Sequence, residues 1–308
     1  MKLSVVTTTP EVQAFVPVAL LSGTFTERLE RAAQLGYDGV ELMVQRPAEL
    51  DGADIAAQVS YCGLEIAAIA SGAIAMLDRL TLLGCDPSTC AEAEQRLYQL
   101  IDFAAATRAP LVTIGGFRGR LANAAWTDAR GARAHLVSVL QRAAARAAAV
   151  GVRLALEPLN RYESDIVNNA EEGLALVEEV GHESLGLLLD TFHMNIEETQ
   201  YDAAIRSLAR AGRLFHVHLG DSNRLAPGQG HLDFPTILTS LCAVGYHGYL
   251  SAELLARPDG DAAAANTAQH MRSLLHREAL GCDETLRRST RSVTARLRSA
   301  TFFPVFGG

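Results

Sequence analysis

Short, uniformly apolar runs alternate along this chain with longer segments whose apolar residues recur every three to four positions. The short runs fall at 2–8 (KLSVVTT), 38–42 (DGVEL), 65–70 (EIAAIA), 110–115 (PLVTIG), 152–156 (VRLAL), 185–189 (LGLLL), 213–218 (RLFHVH) and 248–252 (GYLSA). The longer segments lie near 25–35, 53–62, 90–107, 131–150, 170–180, 201–210, 235–244 and 264–277. A recurrence near 3.6 predicts amphipathic helices, and runs apolar at every position predict strands buried on both faces. Eight strand–helix units in regular succession predict a single closed parallel sheet, a (β/α)8 or TIM barrel, over residues 1–280. An open doubly wound sheet is the competing arrangement, but no GxGxxG fingerprint follows the first strand. From residue 286 the run LRRSTRSVTARLRSATFFPVFGG carries Arg287, Arg288, Arg291, Arg296 and Arg298 without an acidic residue. Residues 281–308 are therefore set apart as a basic C-terminal tail.

The apolar runs end in an unexpected way. "LALEPLNRY" (154–162) and "LLLDTFHMN" (187–195) close on Glu157 and Asp190, "HVHLGD" (216–221) carries His218, and "YLSAELL" (249–255) places Glu253 just after the last strand. A buried, unpaired carboxylate costs several kcal/mol or gives up its charge, so these positions need compensation. In a barrel of this kind the C-terminal strand ends face the catalytic rim. Four consecutive strands thus bring three carboxylates and one imidazole to one rim. Three oxygen donors and one nitrogen donor suit a hard to borderline divalent cation, Mn²⁺ first and Mg²⁺ or Co²⁺ as alternatives.

Composition narrows the setting. Lys and Arg number 27 against 35 Asp and Glu, a formal charge of −8 that opposes non-specific binding to nucleic acid or anionic membrane. The five cysteines (Cys62, Cys85, Cys90, Cys242, Cys282) form no CxxC pair and are odd in number, so they are read as reduced thiols. With no leader-like opening and no apolar run of about 20 residues, the expected setting is the cytoplasm.

The segments "EPLNRYE" (157–163), "GLLLDTFHMNIEE" (186–198), "HVHLGDSNRLAPGQGHLDF" (216–234) and "GYLSAE" (248–253) resemble the xylose-isomerase-like TIM-barrel superfamily. Within it they look most like ketose 3-epimerases of the tagatose/psicose (allulose) type. The resemblance is strong over about 150–255 and architectural before that; the first half lacks the tryptophan-rich opening associated with that pocket. It implies that Glu157, Asp190, His218 and Glu253 bind the metal, and that Glu157 and Glu253 also move protons. It further implies substrate contacts from Glu163, His193 and Arg224, a small sugar as partner, and a homodimer or homotetramer.

The chemistry fits these residue types independently. Epimerising a carbon beside a ketone removes a proton from one face and returns one to the other, which needs two acid/base groups flanking the substrate. An aldose–ketose isomerase would use the same enediolate, and a metal-dependent keto-polyol lyase is also compatible. A phosphodiesterase on this barrel would need a histidine-rich cluster and a basic groove, which an acidic chain with one clear ligand histidine does not offer. A sugar sensor without turnover would not need a proton-transfer pair.

Several neighbours carry secondary expectations. In HVH, His216 and His218 are expected to point to opposite sides of the strand or to differ in depth, with His216 the spare. Glu41 is read as a contact to a sugar hydroxyl or a member of an ordinary ion pair. Arg118 and Arg120 in "GGFRGR" are read as phosphate contacts or as partners of surface acids. His231 is read as a loop residue, His135 and Trp126 as packing residues, and "AEEGLALVEEVGHE" as a solvated helix face.

Overall fold

The computed structural model describes residues 1–126 and 128–276. Eight parallel strands, β1 (Lys2–Thr8), β2 (Gly39–Met43), β3 (Glu65–Ala70), β4 (Leu111–Ile114), β5 (Arg153–Leu156), β6 (Leu185–Asp190), β7 (Leu214–Leu219) and β8 (Tyr249–Ala252), pair in sequence order. The sheet closes where β1 meets β8, Lys2 opposite Tyr249 and Val5 opposite Ala252. The fold is the TIM barrel expected from the alternation of runs.

Helices α1 (Phe25–Gln34), α2 (Gly52–Tyr61), α3 (Pro87–Thr107), α4 (Ala129–Ala149), α5 (Ala170–Val180), α6 (Thr191–Glu197), α7 (Tyr201–Arg210) and α8 (Phe234–Ala243) follow in order, and α9 runs over 260–276. Their starts are written in the sequence: Thr24, Asp51, Asp86, Asp128, Asn169 and Asp233 each accept a backbone N–H of the helix they precede. Such a cap stabilises a helix by about 1 kcal/mol. Burial of Phe25, Leu29 and Ala32 on α1 shows the resulting one-sided packing. The short α6 was not expected, because seven residues carry too little periodicity to register. The glutamates of α5 face solvent, as read, and Trp126 and His135 stack with ring centroids 4.1 Å apart. Cys62, Cys85 and Cys90 are free thiols; Cys242 is disulfide-bonded, which departs from the expectation of thiols throughout. The basic tail expected at 281–308 lies outside the described residues.

The barrel interior fills in layers, and this positions the site. Pairing between β6 and β7 slips after Leu187, so that Leu187 faces Leu214 and Leu188 faces His216, leaving Phe215 as the extra residue of a bulge. Its ring packs over Gly186, where even a methyl group would lie 2.6 Å from it. Ala68, Leu111, Ala155 and Leu188 form a small apolar cluster with Phe215, separate from the large core beneath the helices. Along β5 and β6 the next residues of the same parity are Glu157 and Asp190, and on β7, past the bulge, His216 lies opposite Leu188 and His218 opposite Asp190.

Candidate active site and metal centre

The chain positions each candidate ligand by backbone pairing. Glu157, one residue past β5, donates its N–H to the Ile114 carbonyl at 3.0 Å, and Glu253, one residue past β8, donates to that of Leu219 at 3.3 Å. Asp190 ends β6 directly beside His218 of β7. It also caps α6, one carboxylate oxygen accepting the Phe192 N–H at 2.8 Å, while Oδ2 is left without a partner. The unexpected α6 is thus the local reason that this strand ends on an aspartate.

One ligand atom from each of Glu157, Asp190, His218 and Glu253 can be chosen so that all four lie within 4.8 Å of one another. All four residues are buried. His218 Nδ1 stands 3.6 Å from Glu157 Oε1 and 3.5 Å from Glu253 Oε2. Glu157 Oε1, Asp190 Oδ2, His218 Nδ1 and the nearby His193 Nε2 all lack a hydrogen-bond partner. Such orphaned atoms are rare in folded proteins and call for an explanation. Burial, and then repulsion from Glu157, pushes Asp190 up to about 7; burial, and then Glu253, pushes Glu157 up as well. Burial also works against ionised Glu253, yet His218 and Arg224 outweigh it and hold that carboxyl at about 2. A divalent cation would satisfy the orphaned acceptors and cancel the repulsion, so this donor set fits one.

The three residues expected to touch substrate surround this cluster. Arg224 Nη1 donates to both oxygens of Glu163 at 3.1 and 3.2 Å, and its Nη2 donates to Glu253 Oε2 at 3.2 Å. The guanidinium lies over the Phe192 ring, 5.1 Å from its centroid. His193 Nδ1 accepts from the Asn160 backbone at 3.2 Å and from its side-chain amide at 2.8 Å. Burial, and then Arg224, keeps that ring neutral. The remaining Nε2–H points toward Glu157 Oε1 and Asp190 Oδ2, each 3.8 Å away. A cavity of about 170 Å³ opens beside the carboxylates, with Glu163 and Arg224 in its wall and Val18, Ala75, Met76 and Leu159 supplying apolar surface.

Two paired expectations are each met by one of their alternatives, difference in depth for the histidines and an ion pair for Glu41, and a third, on Arg118, needs correction. His216 and His218 share one face of β7, because residues two apart in a strand point the same way. They differ in depth, and both reach Glu41, His216 Nε2 at 2.9 Å and His218 Nε2 at 3.1 Å from each oxygen. Glu41 is accordingly no surface for a sugar hydroxyl: it is fully buried below the cluster and also accepts from Thr113 Oγ1 at 3.3 Å. Burial raises the cost of its charge, but His218 and His216 hold it well below the usual carboxylate range. Arg118 binds neither phosphate nor surface acids. It is fully buried and donates to the carbonyls of Gly115, Glu157, Ile166 and Val167 and to Ser164 Oγ. Burial lowers it to about 10, so it stays charged and pins the loop after β5. Asn160, which orients both His193 and Glu163, was not singled out; its only signal was its place inside "EPLNRYE".

A closed parallel barrel with buried carboxylates and a histidine clustered at the C-terminal strand ends has the architecture of a TIM-barrel enzyme. Residues 29–274 match the family model described as Xylose isomerase-like TIM barrel, and the chain belongs to that family. It is 32% identical over 247 residues to the L-ribulose 3-epimerase of Mesorhizobium japonicum, covering 79% of this chain and 80% of that protein. It is 30% identical over 223 residues to the ketose 3-epimerase of Arthrobacter globiformis, covering 71% and 74%. A solved structure of an L-ribulose 3-epimerase superposes with a TM-score of 0.74 at 28% identity, over 98% of this chain and 99% of that one.

Proposed function

We propose that this protein is a divalent-metal-dependent sugar epimerase that inverts a ketose, or a keto-sugar derivative, at the carbon next to the carbonyl. The observation that carries the reading is the set of orphaned, buried acceptors on Glu157, Asp190 and His218, converging with Glu253 in a chain whose relatives are ketose 3-epimerases. Glu157, Asp190, His218 and Glu253 hold the cation, with Mn²⁺ the preferred ion. When bound, it supplies a Lewis acid for the substrate carbonyl.

Glu157 and Glu253 rise from β5 and β8 and form the proton-transfer pair. One carboxylate takes the proton from the reacting carbon, giving an enediolate, and the other carboxyl returns a proton to the opposite face. The pair ends with its protonation states exchanged, and proton exchange with solvent resets it. Glu163, His193 and Arg224 orient the sugar. His193, neutral and held by Asn160, offers an Nε2–H to a substrate oxygen, and a donor of this kind contributes about 3 kcal/mol where charge develops. The oligomer implied by the resemblance, a homodimer or homotetramer, belongs to this same reading.

The test is NMR in D₂O with Mn²⁺ on free ketoses, ketose phosphates and keto-glycosides. Deuterium at C3 together with a new diastereomer is the expected result. Label confined to C1 or C2 would replace epimerisation by aldose–ketose isomerisation, and loss of water from the substrate would replace it by elimination.

A further inference from the structure

The layer below the cluster holds a buried carboxylate to which the reaction assigns no part. Glu41 comes from β2, three strands round the barrel from β7, yet it receives Nε2 of both His216 and His218 and the hydroxyl of Thr113. The residues Glu41, His216 and His218 could be read as a second cation site, since their ligand atoms also cluster. Their facing polar atoms already pair with one another at 2.9–3.1 Å, whereas in the upper cluster Glu157 Oε1, Asp190 Oδ2 and His218 Nδ1 have no partner. The lower group is therefore a closed hydrogen-bonded unit.

We infer that Glu41 is a positioning residue that fixes the tautomer and the aim of His218. An imidazole can present a lone pair at one nitrogen only when the proton sits on the other. Both oxygens of Glu41 stand 3.1 Å from Nε2 and accept its proton, so a cation bound among Glu157, Asp190 and Glu253 would meet the ring at Nδ1. His216 and Thr113 hold the Glu41 carboxylate from its other sides, so the ring cannot turn without breaking the layer. The inference rests on the proposed metal site, and partners of this kind typically change metal affinity by about 10–100-fold.

The test measures metal binding, not turnover. Mn²⁺ affinity is followed by the EPR signal of the free ion for the full chain and for Glu41→Gln. The protonated nitrogen of His218 is read by ¹⁵N NMR in the Mg²⁺-loaded wild-type chain. The expected results are Nε2–H with Nδ1 unprotonated in wild type, and about 10–100-fold weaker Mn²⁺ binding in Glu41→Gln, whose amide can donate to Nε2 and drive the proton onto Nδ1. Thr113→Val, which removes only the longest hydrogen bond, should weaken binding about 3-fold or less. Unchanged affinity in a folded Glu41→Gln, or a wild-type ring protonated at Nδ1, would overturn the inference while leaving the metal site standing. The NMR arm needs no variant to fold. Wild type that binds no Mn²⁺ would overturn the metal reading and this inference with it.

Discussion

Two groups of buried ionisable side chains lie one above the other inside the barrel, and they solve the same physical problem in opposite ways. In the lower one, Glu41 is fully buried and both its oxygens accept hydrogen bonds, from His216, His218 and Thr113. In the upper one, Glu157, Asp190 and His218 keep atoms without any partner, and burial together with a neighbouring carboxylate pushes two of the carboxyls up, Asp190 by Glu157 and Glu157 by Glu253. A barrel interior can therefore house a carboxylate when the sheet supplies donors around it. Where the sheet leaves acceptors unpaired, a cation from outside the chain would supply the missing partner. His218 belongs to both groups, one ring nitrogen in each, and couples them.

Breaking the upper group should have the largest effect. Glu253→Gln keeps the shape but removes a proton carrier, so deuterium exchange at the reacting carbon should fall by about 10²–10⁴-fold. Its circular dichroism should be that of wild type; normal exchange would remove Glu253 from the chemistry. Next comes a residue that serves the upper group only through the backbone. Arg118→Leu leaves buried carbonyls of the loop after β5 without their donor and should cost about 3 kcal/mol or more in urea unfolding. A loss below about 1 kcal/mol would mean that water replaces the guanidinium. Removal of the metal should then lower stability by about 2.7 kcal/mol relative to protein at 100 times its Kd for the ion. For a chain of this size that corresponds to a fall in Tm of roughly 4 °C by thermal melt, and an unchanged Tm would count against a cation in the upper group. The smallest effect is expected at the edge of the site. Phe192→Leu removes the ring beneath Arg224 and should raise KM by a few fold, matching a cation–π contribution of about 0.5–1 kcal/mol, with kcat nearly unchanged.

The fold was legible because a parallel barrel writes itself into the chain as uniformly apolar runs separated by helical periods; β1, β3, α5 and α7 begin and end where those patterns do. The carboxylates at the strand ends stood out for the same reason, since a charged residue closing an apolar run is a local signal. What could not be read was pairing across the barrel. Glu41 and the two histidines are separated by 175 and 177 positions, so nothing local tied them together. Arg118 was misread because an arginine in a glycine-rich loop looks exposed, and its carbonyl partners, at Glu157 and beyond, arrive only when β4 and β5 pair. The shared face of His216 and His218, by contrast, was available from strand period alone.

The most direct test is an anomalous difference map from crystals grown with Mn²⁺. A single strong peak among Glu157, Asp190, His218 Nδ1 and Glu253, with Glu41 still hydrogen-bonded to His216 and His218, is the predicted result. A peak between Glu41 and His216, or none inside the barrel, would contradict the assignment of the upper group as the metal centre.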